Sequence, residues 1–107
     1  MLEFQGQTTG TETIVLASVN IELGKSNILR FSIRGQTGIK TCGTTGTALV
    51  KNVNNTVTGI GGSGGVMIAD AGFTTTVNFV VNGNAVQITV DGTAQTLIDW
   101  TAFVEVL

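Results

Sequence analysis

A chain of 107 residues with five Lys and Arg, seven Asp and Glu and a formal charge of −2 has room for one domain and offers no electropositive footprint for a phosphate backbone, which argues against a nucleic-acid partner. Charged residues make up 11% of it, against about 25% in ordinary globular domains, so hydroxyls and amides must coat the surface instead. With no His, no Tyr and one Cys, it also lacks the usual general bases, zinc ligands and an internal disulfide.

Residues 1–10 read as an N-terminal arm ahead of a single β-sandwich domain over 11–107. Leu2 to Thr9 has neither the basic start nor the apolar core of a secretory signal, and no stretch approaches the ~20 apolar residues needed to cross a bilayer. The chain therefore reads as soluble, made in the cytosol and without a membrane partner. From Glu12 to Leu23, the residues Val15, Ala17, Val19, Ile21 and Leu23 recur with the period of a strand buried on one face. Ile14 and Leu16 fall out of that phase, so the strand is bulged near its start or covered there by another chain. After a turn at Gly24-Lys25-Ser26-Asn27, a second strand from Ile28 to Arg34 sends Leu29, Phe31 and Ile33 inward and Arg30, Ser32 and Arg34 outward. Antiparallel pairing of these two strands is the expectation.

Gly35 to Gly46 is too rich in Gly and Thr to show a period. Cys42, within it, has no His to activate it and reads as a small packing residue. Thr47 to Val53 and Asn55 to Gly59 read as two short strands across an Asn-rich turn. Gly59-Ile60-Gly61-Gly62-Ser63-Gly64-Gly65 reads as a flexible surface loop and Val66 to Ala69 as a short apolar strand. Gly59, Gly61 and Gly64 fit the spacing G-x-G-x-x-G, but that motif aims a helix N-terminus at a pyrophosphate, and no helical pattern follows.

From Thr74 onward alternation returns. Thr75 to Val81 and Val86 to Val90 form a hairpin, joined at Asn82-Gly83 or at Gly83-Asn84; the apolar faces coincide for either loop. In the last strand Ile98, Trp100, Ala102, Val104 and Val106 share one face, with Trp100 the largest core residue, while Phe103 and Leu107 point the other way. The pattern predicts an all-β fold, an antiparallel β-sandwich of about seven or eight strands, with the jelly roll as one arrangement it admits.

Chemistry is sparse. Asp91 and Asp99 flank the segment Gly92 to Leu97 and form the one conceivable carboxylate pair, with solvated loop acids as the simpler reading. Asp70, Asp91 and Asp99 lack EF-hand spacing, and the sequon Asn54-Asn55-Thr56 has force only in a secreted protein. No catalytic, cofactor-binding or metal-ligating residues are expected, and no cofactor. The apolar residues out of phase, Ile14, Leu16, Phe103 and Leu107, are better covered by a partner subunit than by water. Arg30 and Arg34 share a strand face, where they can receive a neighbour's carboxylate or deter sheet extension. These six are the expected contacts of a homo-oligomer.

The strand pair from Thr13 to Arg34, the Gly/Thr-rich middle, the segment Val81 to Gly92 and the closing run Thr96 to Val106 together resemble small β-sandwich proteins of tailed-bacteriophage virions, of fibre, tail or head-decoration type. The resemblance implies a non-enzymatic structural protein of the virion, made in the host cytoplasm, that acts through self-assembly, with a trimer as its symmetry and other virion proteins as further partners. A lectin-like carbohydrate-binding module is the alternative. It needs a solvent-facing aromatic platform, and Trp100 falls on the core face.

Overall fold

Most of the period-two apolar residues turn into the space between two antiparallel sheets in the computed structural model, which describes residues 1–64, 67–73 and 75–107. The strands are β1 (Leu2–Thr8), β2 (Thr13–Asn20), β3 (Ser26–Gln36), β4 (Thr41–Val53), β5 (Thr56–Gly64), β6 (Ile68–Ala69), β7 (Thr76–Asn82), β8 (Ala85–Asp91) and β9 (Ile98–Val106). The larger sheet has the order β1-β9-β3-β4-β5, with β6 also on β4, and the smaller is β2-β8-β7. No helix forms among the described residues. The expected all-β sandwich is therefore present, divided six strands to three rather than in the double Greek key of an eight-stranded jelly roll. At about 3.3 Å per residue, the thirteen residues of β4 account for the 44 Å long axis of the molecule.

The core is organised on β9. Ile98, Trp100, Ala102 and Val104 are all but sealed from solvent, packed with Leu29, Phe31 and Ile33 of the adjacent β3 and with Val19, Val86, Ile88 and Val90 of the smaller sheet. The Trp100 indole N–H donates to the Thr8 hydroxyl at 3.0 Å, with both residues buried. Gly35, its register partner on β3, makes room for the ring: a Cβ there would stand 2.8 Å from the indole and 2.9 Å from the Cys42 sulfur. Cys42 is buried, as a packing residue should be.

Several sequence expectations need correction. Residues 2–8 are not a free arm, since β1 pairs along its whole length with β9, from Leu2↔Val104 to Thr8↔Ile98. β2 and β3 do not pair; β2 lies on β8 and β3 between β9 and β4. The segment between them crosses from one sheet to the other, held by Asn52, whose side-chain amide donates to the Ile21 carbonyl at 2.6 Å and whose backbone bonds Gly24 and Lys25. Alternation cannot separate strands that lie side by side from strands that face each other, because both arrangements need one apolar face. The run Gly59 to Gly64 is strand rather than loop; Gly65 and Val66, which completed two of the expected segments, and Thr74 lie outside the described residues. Glycine suits β5 sterically: at Gly62 a Cβ would stand 2.6 Å from the Thr47 carbonyl oxygen.

Other details match. A register shift between Val15 and Ala17 is the bulge that the out-of-phase start implied, and it brings Leu16 inward while leaving Val15 exposed. Asn54 and Asn55, at φ 58° and 60°, form the Asn-rich turn between β4 and β5. Of the two loops open to the last hairpin, the chain uses Gly83-Asn84: Asn82 pairs Ala85, Phe79 pairs Ile88 and Val77 pairs Val90. Gly83 has φ 61° and Asn84 is not among the positive-φ residues, the pattern of a type II′ turn.

Replacing Trp100 by Ala is expected to cost about 3–5 kcal/mol, the range for emptying an aromatic core site. Thr8→Val, which strands the indole N–H, should cost about 1–3 kcal/mol. Urea denaturation measures both, and a native emission maximum typical of solvent-exposed indole would contradict the packing.

Candidate functional site

Each acid that could have carried chemistry instead joins neighbouring backbone segments. Asp91 lies at the end of β8, opposite Thr13 of β2 and Thr76 of β7. Both hydroxyls donate to its carboxylate, which spans the three strands of the smaller sheet. The bond from Thr13, followed by that from Thr76, holds its pKa below the ordinary carboxylate value. Asp99 belongs to the other sheet, where it accepts from the Gln7 amide at 2.6 Å across β1 and β9. The two acids flanking Gly92 to Leu97 are thus not brought together as a pair. Asp70 accepts from the Thr41 N–H at 2.9 Å. Glu12 accepts from the backbone of Gly10 and Thr9 at 2.6 and 2.7 Å, and these bonds lower its pKa. Burial pushes the Cys42 thiol upward, beside the Thr75 hydroxyl. Among the described residues no group of three or more His, Cys, Asp or Glu could hold a metal ion. Gly59, Gly61 and Gly64 all lie within β5, so the glycine spacing has no helix to serve.

The six expected interface residues divide between two regions. Arg30, Arg34, Phe103 and Leu107 share the outward phase of β3 and β9 and its continuation on the larger sheet. Phe103 stands there between Glu3 and Ser32, 37% exposed. Leu107 is exposed, its backbone exchanging hydrogen bonds with Ile28. Arg30 is bonded within the chain to Glu105 at 3.3 Å, and neither arginine guards an edge, because β3 is an inner strand. Ile14 and Leu16 pack elsewhere, over Gly6 of β1. Leu16 is fully buried and Ile14 partly, so neither is the uncovered surface group that its phase implied.

Another apolar region lies exposed near β7. Six strands over three leave part of the larger sheet without a facing strand, and at that side of the sandwich a hollow of about 360 Å³ opens among Phe31, Leu49, Ile60, Phe79 and Val81. Phe79 is 41% exposed although its ring meets Phe31 at a centroid distance of 4.4 Å, edge to face. Val80 and Val81 are exposed beside it. The consecutive valines of β7 signal only Val80 as an outward apolar group, since Val77, Phe79 and Val81 share the inward phase. A larger groove of about 650 Å³ runs past Ser32, Arg34, Thr45 and Asp70, with no aromatic ring among the described residues that line it.

No protein-family model matches the chain, and no curated protein matches it. Among solved structures it is similar to the tailspike protein of Acinetobacter baumannii phage AM24, over 96% of this chain and 26% of that one, with 8% identity and a TM-score of 0.42. It is also similar to the tailspike protein of Acinetobacter phage vB_ApiP_P1, over 96% of this chain and 22% of that one, with 17% identity and a TM-score of 0.33. The chain spans about a quarter of the length of these tailspike chains.

The Asp91 arrangement carries a pH dependence of defined sign. A carboxylate whose folded pKa lies below its unfolded value contributes stability above the unfolded value and loses it as pH falls through the folded one. Stability measured by chemical denaturation should decline on acidification below about pH 5. Asp91→Asn should flatten that decline, and an unchanged acid limb in this variant would show that the Thr13 and Thr76 bonds contribute nothing to it.

Proposed function

We propose that this chain is a non-enzymatic structural domain of a bacteriophage virion, a fibre, tail or head-decoration component that works by assembling with copies of itself. The uncovered side of the sandwich is the observation that carries the self-assembly reading: Leu49, Ile60, Phe79 and Val81 remain at the surface around an apolar hollow. Covering them gains about 25 cal/mol for each Å² of apolar surface withdrawn from water. Phe103 and Leu107, on the outer face of the larger sheet, supply a second apolar contact for a neighbouring subunit or another virion protein. The virion assignment itself rests on the resemblance of the sequence from Thr13 to Arg34, which forms two strands of different sheets, of the Gly/Thr-rich middle and of the closing Trp100 strand to such proteins.

A lectin-like reading has less support, because the indole is buried and the groove beside Arg34 has no ring among the described residues that line it on which a sugar could stack. An enzymatic reading would need acids free to act, whereas Asp70, Asp91 and Asp99 each accept a hydrogen bond from a neighbouring segment. Threefold closure, implied by the resemblance, requires two unlike surfaces to meet; twofold closure requires one surface complementary to itself. The residue pattern along β7 favours the second.

Sedimentation equilibrium is expected to give at least twice the 11.0 kDa chain mass. A monomeric mass at high protein concentration would remove self-assembly from the proposal.

A further inference from the structure

An exposed strand edge is a template for another chain, and proteins blunt such edges with charges, proline, bulges or brevity. Four of the edges here carry such a device. β1 has Glu3, β2 is bulged between Val15 and Ala17, β5 shifts register opposite Leu49 and Val50, and β6 is two residues long. β7 has none of them. It is seven residues long, without charge or proline, and keeps one continuous register with β8 from Thr76↔Asp91 to Asn82↔Ala85. Among the described residues no strand forms a ladder with its other edge; β5 reaches it only at the turn, where the Val57 N–H donates to the Gly83 carbonyl at 2.9 Å.

Resting on the self-assembly reading, we infer that β7 pairs antiparallel with β7 of a second copy about a twofold axis at Phe79. Two observations select that partner and register. The two-residue loop makes Asn82 and Ala85 a hydrogen-bonded pair, and such pairs alternate along an antiparallel ladder. The backbone groups of Asn82, Val80, Asn78 and Thr76 therefore point to β8, while those of Val77, Phe79 and Val81 point to the free edge. Centring the pairing on Phe79 places these same three residues in hydrogen-bonding positions: Phe79 opposite Phe79 of the second copy, and Val77 opposite its Val81.

The side chains agree with this register. Val77, Phe79 and Val81 share one face of β7, so every cross-copy pair on it is apolar with apolar, and the pairs flank the hollow that Phe79 and Val81 line. Asn78 meets Val80 on the opposite face. No charge on the strand opposes another, which leaves an acidic or basic partner nothing to recognise and a second copy nothing to repel it. The three-stranded sheet becomes one six-stranded sheet, and the same patch on both subunits closes the assembly.

The full chain should sediment at twice 11.0 kDa. Phe79→Lys sets two ammonium groups opposite each other at the axis and should reduce the mass to that of one chain; Ile39→Lys, in the exposed bend between β3 and β4, should leave the dimer intact. Circular dichroism and Trp100 emission check that each variant keeps its fold. A second test uses the outward-facing, exposed residues Asn78 and Val80, which would lie about 4.5 Å apart across copies as a non-hydrogen-bonded pair, within disulfide range. An oxidised equimolar mixture of N78C and V80C should form the mixed disulfide dimer in preference to either homodimer. A folded Phe79→Lys chain that stays dimeric, or a mixture without the mixed disulfide, would overturn the inference. A trimeric mass would overturn it too while leaving self-assembly standing, whereas a monomeric native chain would remove both.

Discussion

The hydrogen bond from Trp100 to Thr8 joins the last strand to the first, and the larger sheet is assembled around it. A buried indole adds a large apolar area but brings an N–H that must find an acceptor. Thr8 provides that acceptor from β1, so the pairing of residues 2–8 with β9 is coupled to the centre of the core rather than added at its margin. Gly35 completes the arrangement by omitting a side chain where the ring lies. Trp100 thus accounts together for a glycine in β3, a buried threonine in β1 and the place of β9 between them.

With few charges available, the chain uses carboxylates mainly as acceptors for hydroxyls, amides and backbone N–H groups. Asp91 joins β2 to β7 across β8, Asp99 joins β9 to β1, and Glu12 closes the turn after β1. Arg30 and Glu105 form the single ion pair recorded among the described residues, and it is exposed, where such pairs contribute about 0–1 kcal/mol. This economy gives the acids an architectural role and separates Asp91 from Asp99 as a catalytic pair. The same composition leaves most strand edges to be protected by bulges and brevity instead of by lysines.

How far the fold was legible follows from what alternation measures. It reports which residues of a strand face inward, and for β3, β8 and β9 those residues, from Leu29 to Val104, are buried as read, with Val106 at the end of β9 left partly exposed. It does not report which strand lies beside which, so β2 and β3 were paired in expectation although they belong to different sheets. Glycine misled in the opposite direction. In β5 the run is strand, not loop, with Gly62 alone set against the β4 backbone, and nothing in Gly59 to Gly64 considered alone distinguishes strand from loop. At the candidate interface, phase identified Phe103 and Leu107 as outward but failed for Leu16, which the bulge returned to the core. The exposure of Phe79 was illegible for a further reason: its phase is inward, and it is uncovered only because three strands face six.

That inequality also governs the character of the association. A fourth strand in the smaller sheet would cover more of β4 and β5 and occupy the edge of β7; its absence leaves apolar side chains and unpaired backbone groups at one place. Pairing there satisfies both with local contacts. Because β7 carries no charge and the chain a formal charge of only −2, long-range attraction and repulsion between copies are both weak. Screening at about 10 Å in 0.1 M salt therefore has little to act on. Association through β7 depends on burial and hydrogen bonding, and is less sensitive to ionic strength than an interface built on Arg30, Arg34 and a neighbour's carboxylates would be.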